Sequence, residues 1–357
     1  MLILSNEDAE DVLTMPDCIQ ALERAYLDAA AGTAVNGRRS DMITATSRED
    51  AAYCLKMVGG VVPSLRVGAL RLNSDILTFP LVGGSRRKVK VPAAPGDRWV
   101  GLVLLFSTET GEPLAIFPDG VVQRMRVGAT SGLAADRLAR RDAKVLVVLG
   151  SGWQAGAQAM AAAAVRQLGE IRCFSPSEDN RQAFAREMDA RLGIPVIPFA
   201  SAEEAVRGAD IVLCATNSLR PVLERDWLSP GMHLGSIRDR ELAPDAIRAA
   251  DRVFIHHPDN MGSSHLAVAK GIHYHEGAKE IVSDKTLQRF ADAPSLADLL
   301  AGAAEGRAAE SDITCFLNFH GLGTQFAAVG AVFYEKARAH GRGRELPGEW
   351  FTETVHP

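Results

Sequence analysis

Hydrophobic and polar residues change their spacing along the chain, and each spacing predicts a different kind of structure. Within residues 7–32 apolar residues recur every three or four positions, which predicts helices. Between about 38 and 125 the apolar runs become short and turns separate them, which predicts an antiparallel sheet. The strand candidates in this region are 52–58, 67–72, 100–106 and 114–117.

The second part of the chain alternates short apolar runs with helical patterns. An alanine-rich helix is predicted over 126–140, and helical spacing returns over 314–339. Between these segments, apolar strands and helices follow each other in turn, which is typical of a parallel sheet covered on both faces. The strand candidates are 144–149, 171–174, 195–199, 211–214, 232–236 and 252–256. We therefore predict the α/β class with a doubly wound parallel sheet, and the length of 357 residues suggests two domains.

Composition and charge argue against several kinds of partner. The net charge of −5 lacks the basic excess that binding to a nucleic acid usually requires. A short basic run, Arg86-Arg87-Lys88 with Lys90, alternates with valines and is interpreted as a strand edge. No apolar stretch predicts a membrane span, and the first residues do not resemble a signal peptide. The five cysteines are scattered without a CxxC pair, so we predict a cytoplasmic protein without a metal site.

An apolar strand over 145–149 leads directly into a glycine-rich turn, and a helical pattern follows. This succession of strand, turn and helix is the context in which a GxGxxG-like segment indicates a dinucleotide site. The first glycine allows the tight turn, the second lets the backbone approach the pyrophosphate, and the third position must be small. The free N–H groups at the start of the helix favour phosphate oxygens. The predicted phosphate turn is Gly150-Ser151-Gly152-Trp153-Gln154-Ala155.

The end of the next strand predicts which nicotinamide dinucleotide is preferred. NAD enzymes usually place an aspartate or glutamate there, on the ribose 2′-hydroxyl. This chain instead has Ser175 and Ser177, with Arg181 shortly after them. Hydroxyls and a guanidinium suit a 2′-phosphate, so NADP(H) is favoured over NAD(H). The alternative is that Ser177 only caps the following helix and that Arg181 lies on the helix surface.

A polar loop follows the strand candidate that ends at Cys214. Thr216, Asn217 and Ser218 stand just after the carboxyl end of this strand, which is where ligands bind in parallel sheets. We expect these three residues beside the cofactor, and a plain turn is the alternative.

Four stretches of the sequence, taken together, resemble the ornithine cyclodeaminase/μ-crystallin family from about residue 20 to 335. They are Tyr53-Cys54-Leu55-Lys56-Met57-Val58-Gly59-Gly60, then Asp119-Gly120 with Arg126-Val127-Gly128-Ala129-Thr130-Ser131-Gly132, the phosphate turn, and Pro230-Gly231-Met232-His233 with Arg240-Glu241-Leu242. The resemblance implies a homodimer. It implies that residues 1–125 with 322–357 form an α+β substrate-binding and dimerisation domain, and that 126–321 form the Rossmann domain. It also implies chemistry at the α-carbon of an amino or imino acid.

The resemblance assigns residues to the site as well. Lys56 matches the family's active-site lysine, and Arg126 matches the arginine that binds the substrate carboxylate. A second arginine usually helps, and Arg39 or Arg38 is the candidate for that role. A guanidinium can hold a carboxylate through two hydrogen bonds. Hydride addition to a C=N bond also needs a proton at nitrogen, which a partly desolvated lysine can deliver. The family's cofactor contacts near the C-terminal helix fall on His320 and Gly321, and the alternative is that His320 only forms the turn at the start of that helix.

The sequence departs from the cyclodeaminases of this family where those enzymes carry a catalytic aspartate. Here the loop that ends at Glu241-Leu242 is shorter and lacks a Pro-Gly pair, and Asp239 is the candidate for that aspartate. Val127 follows Arg126, where cyclodeaminases tend to have threonine. We therefore expect an imine reductase or amino-acid dehydrogenase. The alternatives are an ammonia lyase of the cyclodeaminase type and a non-catalytic, crystallin-like dinucleotide-binding protein. Residues 75–99 are additional to the shorter members of the family.

Overall fold

The computed structural model describes residues 1–82, 85–86, 89–218, 220–238, 240–257, 265–269, 290, 292–319 and 321–355. The strands, in chain order, are β1 (Leu2–Ile3), β2 (Val35–Asn36), β3 (Ser40–Ala45), β4 (Ala51–Val62), β5 (Val67–Thr78), β6 (Leu81–Val82), β7 (Ser85–Arg86), β8 (Val89–Val91), β9 (Val100–Ser107), β10 (Pro113–Pro118), β11 (Val145–Leu149), β12 (Glu170–Phe174), β13 (Val196–Pro198), β14 (Ile211–Cys214), β15 (His233–Ser236), β16 (Arg252–Ile255), β17 (His265–Val268), β18 (Thr314–Leu317) and β19 (Arg344–Glu345). The helices are α1 (Asn6–Val12), α2 (Met15–Ala30), α3 (Gly120–Leu138), α4 (Trp153–Val165), α5 (Glu178–Leu192), α6 (Ala202–Val206), α7 (Pro244–Arg248), α8 (Leu296–Leu300) and α9 (Gly323–Ala339).

The predicted antiparallel layer is a ten-stranded mixed sheet. Its order is β17-β3-β4-β5-β9-β10-β1-β19, with β2 paired to β4 and β8 paired to β5. The central strands β4 and β5 run antiparallel over their full length, from the Ala51–Thr78 pair to the Val62–Val67 pair. Burial alternates along both strands, which separates an inner face from an outer face.

The inner face of this sheet packs against α9, and α2 packs on α9. The contact with α9 is so close that a Cβ atom on Gly60 would lie 2.1 Å from the backbone nitrogen of Thr324. Phe117 of β10 and Phe333 of α9 meet edge to face, with ring centroids 5.2 Å apart. One continuous apolar core therefore joins the sheet to both helices.

The second layer is the predicted parallel sheet, in the order β13-β12-β11-β14-β15-β18-β16. Strand β11 is apolar at every position because both of its faces are buried. Val147 and Leu149 belong to one core cluster, whereas Leu146 and Val148 belong to another. Helices α3 and α4 pack closely, since a Cβ atom on Gly128 would lie 2.6 Å from the carbonyl oxygen of Ala157. The α/β class and the doubly wound parallel sheet are confirmed.

Two of the sequence-based predictions of secondary structure were wrong. Helix α3 begins at Gly120, six residues before the predicted start, so Arg126 lies in its second turn. Residues 314–317 form the buried strand β18 and not the start of a helix. A fully buried strand is apolar throughout, and over four residues its pattern cannot be distinguished from a helical one.

No helix in the described part of the chain combines the length and the apolar character that crossing a membrane requires.

Candidate active site

A cavity of about 350 Å³ lies between the inner face of the ten-stranded sheet and the carboxyl end of the parallel sheet. Arg39 and Lys56 line it from the first sheet, and Arg126 lines it from α3. Gln154, which follows β11, and Gly321, which follows β18, line the opposite side. The predicted substrate residues and part of the predicted cofactor site therefore meet in one cavity, on the edge where parallel sheets bind ligands.

The strand register arranges the polar side chains of the inner face in successive rows. Arg71 stands opposite Val58, and two residues further along β5 Asn73 stands opposite Lys56. Asp75 follows after another two residues, so Arg71, Asn73 and Asp75 all point to the same face. Asp75 lies four positions beyond Arg71, a span of about 13 Å along the strand.

Lys56 is held by a buried carboxylate. Its Nζ lies 2.5 Å from Asp75 Oδ2, and the two side chains are 7% and 1% exposed. The Nζ of Lys90 lies 2.9 Å from the other oxygen of Asp75. Burial alone would raise the pKa of Asp75, but the hydrogen bonds and charges of Lys56 and Lys90 outweigh burial and lower it. Asp75 is therefore a carboxylate at neutral pH that is shared by two lysines.

A second carboxylate organises the end of the sheet next to α3. Asp119 Oδ2 accepts hydrogen bonds from Arg71 Nε at 2.8 Å and from Asn73 Nδ2 at 3.1 Å. Asp119 therefore does not cap α3 with its side chain, although it immediately precedes the helix. Position 101 on β9 must be glycine, because a Cβ atom there would lie 2.1 Å from Asp119 Oδ1.

Arg126 is the most deeply buried cation of the cavity. Its Nε and Nη1 donate to the amide oxygens of Gln123 and Gln325, at 3.2 and 2.8 Å. The guanidinium carbon lies 5.2 Å from the ring centroid of Phe326, and that of Arg71 lies 5.1 Å from the same ring. Burial, together with the positive charge of Arg71, lowers the pKa of Arg126 to about 9, so it stays charged at neutral pH.

The phosphate turn has the geometry that a dinucleotide requires. Gly150 has a φ of 128°, and a Cβ atom on it would lie 2.2 Å from the carbonyl oxygen of Ala215, so only glycine fits. A Cβ atom on Gly152, which precedes α4, would meet open space. The buried Oε1 of Gln154 and Oδ1 of Asn318 have no hydrogen-bond partner within the described residues. Both residues line the cavity wall, where these oxygens could accept hydrogen bonds from amide or hydroxyl groups of a cofactor.

Glu241 joins the loops that follow β14 and β15. Its carboxylate accepts hydrogen bonds from the backbone N–H and hydroxyl of Thr216 and from Ser236 Oγ and the N–H of Ile237. Burial raises the pKa of Glu241 although these hydrogen bonds oppose the shift. Thr216 is thus engaged with Glu241, the side chain of Asn217 is exposed, and Ser218 Oγ donates to the carbonyl of Arg220.

The residues predicted to contact the 2′ position of the cofactor's ribose are joined by hydrogen bonds. Ser175 is 8% exposed, and its hydroxyl accepts from Ser151 Oγ at 2.9 Å and donates to the carbonyl of Ser177. Ser177 caps α5 by accepting from the N–H of Asn180, so the capping alternative describes its contact in this structure. Arg181 folds back and donates to the carbonyls of Ser175 and Pro176.

Asp239 and His320, two further candidates from the sequence, lie outside the described residues. Trp153 and Ala155 lie in the first turn of α4, where Ala155 is buried against the sheet and the ring of Trp153 stacks on Arg124 at 4.0 Å.

The sequence reasoning missed Asp75 and Arg71. Arg71 lies between two leucines on β5 and could have been found from the period of two, whereas Asp75 follows the polar pair Asn73-Ser74, where the alternation is lost. Lys90 was noticed, but as a strand edge.

Known proteins are similar in sequence to this chain over nearly its whole length. The chain matches the model of the ornithine cyclodeaminase/mu-crystallin family over residues 2–341. A Delta(1)-pyrroline-2-carboxylate reductase of Bacillus cereus is 28% identical over 356 residues, which cover 97% of this chain and 99% of that protein. An alanine dehydrogenase of Archaeoglobus fulgidus is 27% identical over 359 residues, which cover 97% and 98%.

A solved structure has the same fold over nearly the whole chain. The Delta(1)-pyrroline-2-carboxylate reductase of Thermococcus litoralis, in complex with NADH and L-proline, superposes with a TM-score of 0.76 at 28% sequence identity. The match covers 97% of this chain and 100% of that one.

Proposed function

This chain belongs to the ornithine cyclodeaminase/mu-crystallin family, and from that premise we propose that it is an NAD(P)H-dependent oxidoreductase acting on the C–N bond of an α-imino or α-amino acid. The observation that carries the proposal is the single cavity in which Lys56 and Arg126 face Gln154 of the phosphate turn. Its relatives in Bacillus cereus and Archaeoglobus fulgidus, a pyrroline-2-carboxylate reductase and an alanine dehydrogenase, support the same reaction class.

The residues divide the work of imine reduction between them. When bound, the nicotinamide dinucleotide supplies the hydride to the α-carbon. Arg126 binds the α-carboxylate, because a buried guanidinium with neutral amide neighbours favours an anion. Arg39, the second candidate, lines the same cavity but donates two hydrogen bonds to Asp41 in this structure. Lys56 donates the proton that the nitrogen needs, and Asp75 positions its ammonium group through the 2.5 Å contact. In the reverse direction the same lysine accepts the proton.

We favour simple reduction over cyclodeamination. Cyclisation needs a base that frees the distal amine for attack, and the loop that would carry it is shorter here. Val127 in place of the threonine of cyclodeaminases points the same way. A non-catalytic role, as in crystallins, is the less favoured alternative because both Lys56 and Arg126 are retained and line the cavity.

We propose NADP(H) as the preferred cofactor. Ser151, Gly152 and the first turn of α4 would hold the pyrophosphate, and Gln154, Asn318 and Gly321 would lie beside the nicotinamide riboside. At the ribose the support is the absence of a carboxylate directly after β12, where Ser175 and Ser177 stand and Arg181 is adjacent. Freed from its backbone contacts, the Arg181 guanidinium could bind a 2′-phosphate.

We also propose that the protein is a cytoplasmic homodimer whose subunit has the two domains stated above, 1–125 with 322–357 and 126–321. The five cysteines are free and buried, in keeping with a reducing compartment. The outer face of the ten-stranded sheet supports the dimer, because most of the side chains near its middle are apolar and half-buried, including Met57, Leu70, Leu72, Leu102 and Leu104.

The test is a screen of 2-oxo acids with ammonia or methylamine, and of cyclic imines, followed by nicotinamide absorbance with NADPH and NADH in parallel. We expect turnover with at least one imino acid and a higher kcat/KM with NADPH. Binding of the dinucleotide without turnover across the whole panel would favour the non-catalytic alternative. A tenfold advantage for NADH would contradict the proposed role of Ser175, Ser177 and Arg181.

A further inference from the structure

The cations of the cavity are spread along its length, and we infer from their placement that the substrate carries a second carboxylate, at the end of its side chain, which Lys90 binds. This inference rests on the proposed function, because it takes Arg126 as the residue that binds the α-carboxylate. It makes the substrate an α-imino dicarboxylic acid and makes Lys90 a specificity-determining residue.

The strand register gives the cavity two ends. At one end Arg71 and Arg126 lie beside the same Phe326 ring. Arg39 is neutralised by Asp41, to which it donates two hydrogen bonds. Lys56 lies one row further along, opposite Asn73. Lys90 belongs to the other end, since it pairs with Leu77, which lies six residues beyond Arg71 on β5. A molecule whose α-carboxylate lies at Arg126 and whose nitrogen lies at Lys56 therefore extends its side chain toward Lys90.

The charges at the far end are not balanced. Lys56 and Lys90 contact opposite oxygens of one carboxylate, Asp75, at 2.5 and 2.9 Å. These three groups carry one net positive charge, and Asp75 is almost completely buried behind the lysines. Lys90 can turn toward a ligand without leaving Asp75 unpaired, because Lys56 stays bound to it. An anion between the lysines would compensate the excess charge in a partly desolvated site.

Distances limit the length of the side chain. Two ammonium groups that bind the two oxygens of one carboxylate lie within roughly 8 Å of each other, given contacts of normal hydrogen-bond length. A carboxylate one or two methylene groups beyond the imine carbon would reach Lys90 while its nitrogen stays at Lys56. Both Asp75 and Lys90 lie within residues 75–99, the segment that is additional to the shorter family members. The additional segment thus supplies the second anion site.

The experiment compares two 2-oxo acids of equal chain length, 2-oxoglutarate and 2-oxopentanoate, each with ammonia and NADPH. We expect the dicarboxylate to have at least a tenfold higher kcat/KM in the wild type. The variant Lys90→Met removes the charge and keeps the length of the side chain, and should reduce this preference to less than threefold. Lys144→Met is the matched control, because Lys144 is an exposed lysine immediately before β11 whose ammonium group donates to the Gln167 carbonyl. It should keep the wild-type preference.

A binding measurement gives a readout that does not depend on turnover. By calorimetry with NADP⁺ present, glutarate should bind the wild type at least tenfold more tightly than pentanoate, and Lys90→Met should remove the difference. Equal kcat/KM values for the two oxo acids in the wild type would overturn the inference and leave the proposed function intact. An equal loss of both activities in Lys90→Met would also overturn it, since Lys90 would then act only through Asp75. Absence of turnover with every oxo acid and imine would instead count against the proposed function itself.

Discussion

At the residue scale, Lys56 and Arg126, the two cations predicted from the sequence to act on the substrate, have different charged neighbours. Lys56 contacts a buried carboxylate, whereas Arg126 contacts two neutral amides and lies close to a second arginine. The first arrangement fixes an ammonium group in place, and the second makes a guanidinium ready to bind an anion. Proton delivery and carboxylate binding therefore fall to different residues, and kinetics can separate them.

We predict that Arg126→Ala mainly raises KM and that Lys56→Ala mainly lowers kcat. Loss of a charge-assisted contact in a partly desolvated site costs about 2–4 kcal/mol, and loss of a general acid typically reduces turnover by about 10²–10⁴-fold. Steady-state kinetics of both variants with the best imine from the screen gives the two parameters. Dinucleotide binding, followed by fluorescence, should be retained in both. Near-normal turnover of Lys56→Ala would show that Lys56 is not the proton donor.

At the scale of the elements, periodicity and turn chemistry were enough to predict strands, turns and helices whose structure is set locally. Features that depend on contacts between distant parts of the chain were missed. The strand, turn and helix around Gly150 were predicted from local signals alone. The start of α3 was missed because Gly120 and the β-branched Val121 and Val122, which open the helix, have weak helix propensity. Burial of both valines in the core outweighs that propensity, and only the fold brings it about. Lys90 was taken for a strand edge because its contact with Asp75 depends on the pairing of β8 with β5.

The phosphate turn allows a prediction in which two neighbouring glycines behave differently. Gly152→Asp should retain the fold, because its Cβ atom would meet open space, and should lose dinucleotide affinity by at least a hundredfold, since a carboxylate would face the pyrophosphate. Gly150→Ala should also lower the melting temperature by several degrees. Its Cβ atom would lie 2.2 Å from the Ala215 carbonyl in a backbone conformation that costs about 1–3 kcal/mol. Thermal unfolding and fluorescence titration of both variants test this pair. Unchanged cofactor affinity in Gly152→Asp would contradict the assignment of the turn.

At the scale of the whole molecule, the ten-stranded sheet has one face covered by α9, with α2 packed on that helix, and another face that this chain leaves half-exposed. Most outer positions of β4, β5 and β9 are apolar, whereas the solvent face of an antiparallel sheet is normally polar. A contiguous apolar surface of this kind marks an association site. Because the surface is a sheet face, a second copy of the same chain can cover it around a twofold axis, with each subunit burying the same patch.

We therefore predict that the wild type has twice the chain mass of 38.2 kDa in solution and that Leu72→Glu is monomeric. Leu72 lies opposite Met57 and Leu102 near the middle of the outer face, so a carboxylate there would be desolvated by dimer formation, at a cost of several kcal/mol per ion. Leu27→Glu is the matched control, since Leu27 lies on α2 with 42% of its surface exposed.

Light scattering coupled to size-exclusion chromatography gives the mass, and circular dichroism shows whether each variant is folded. A folded Leu72→Glu protein that keeps the dimer mass would place the interface on another surface. If Leu27→Glu were monomeric instead, the dimer interface would involve α2. If Leu72→Glu is a folded monomer that still binds the dinucleotide, the cofactor site is complete within one chain, as expected for a phosphate turn on the separate parallel sheet.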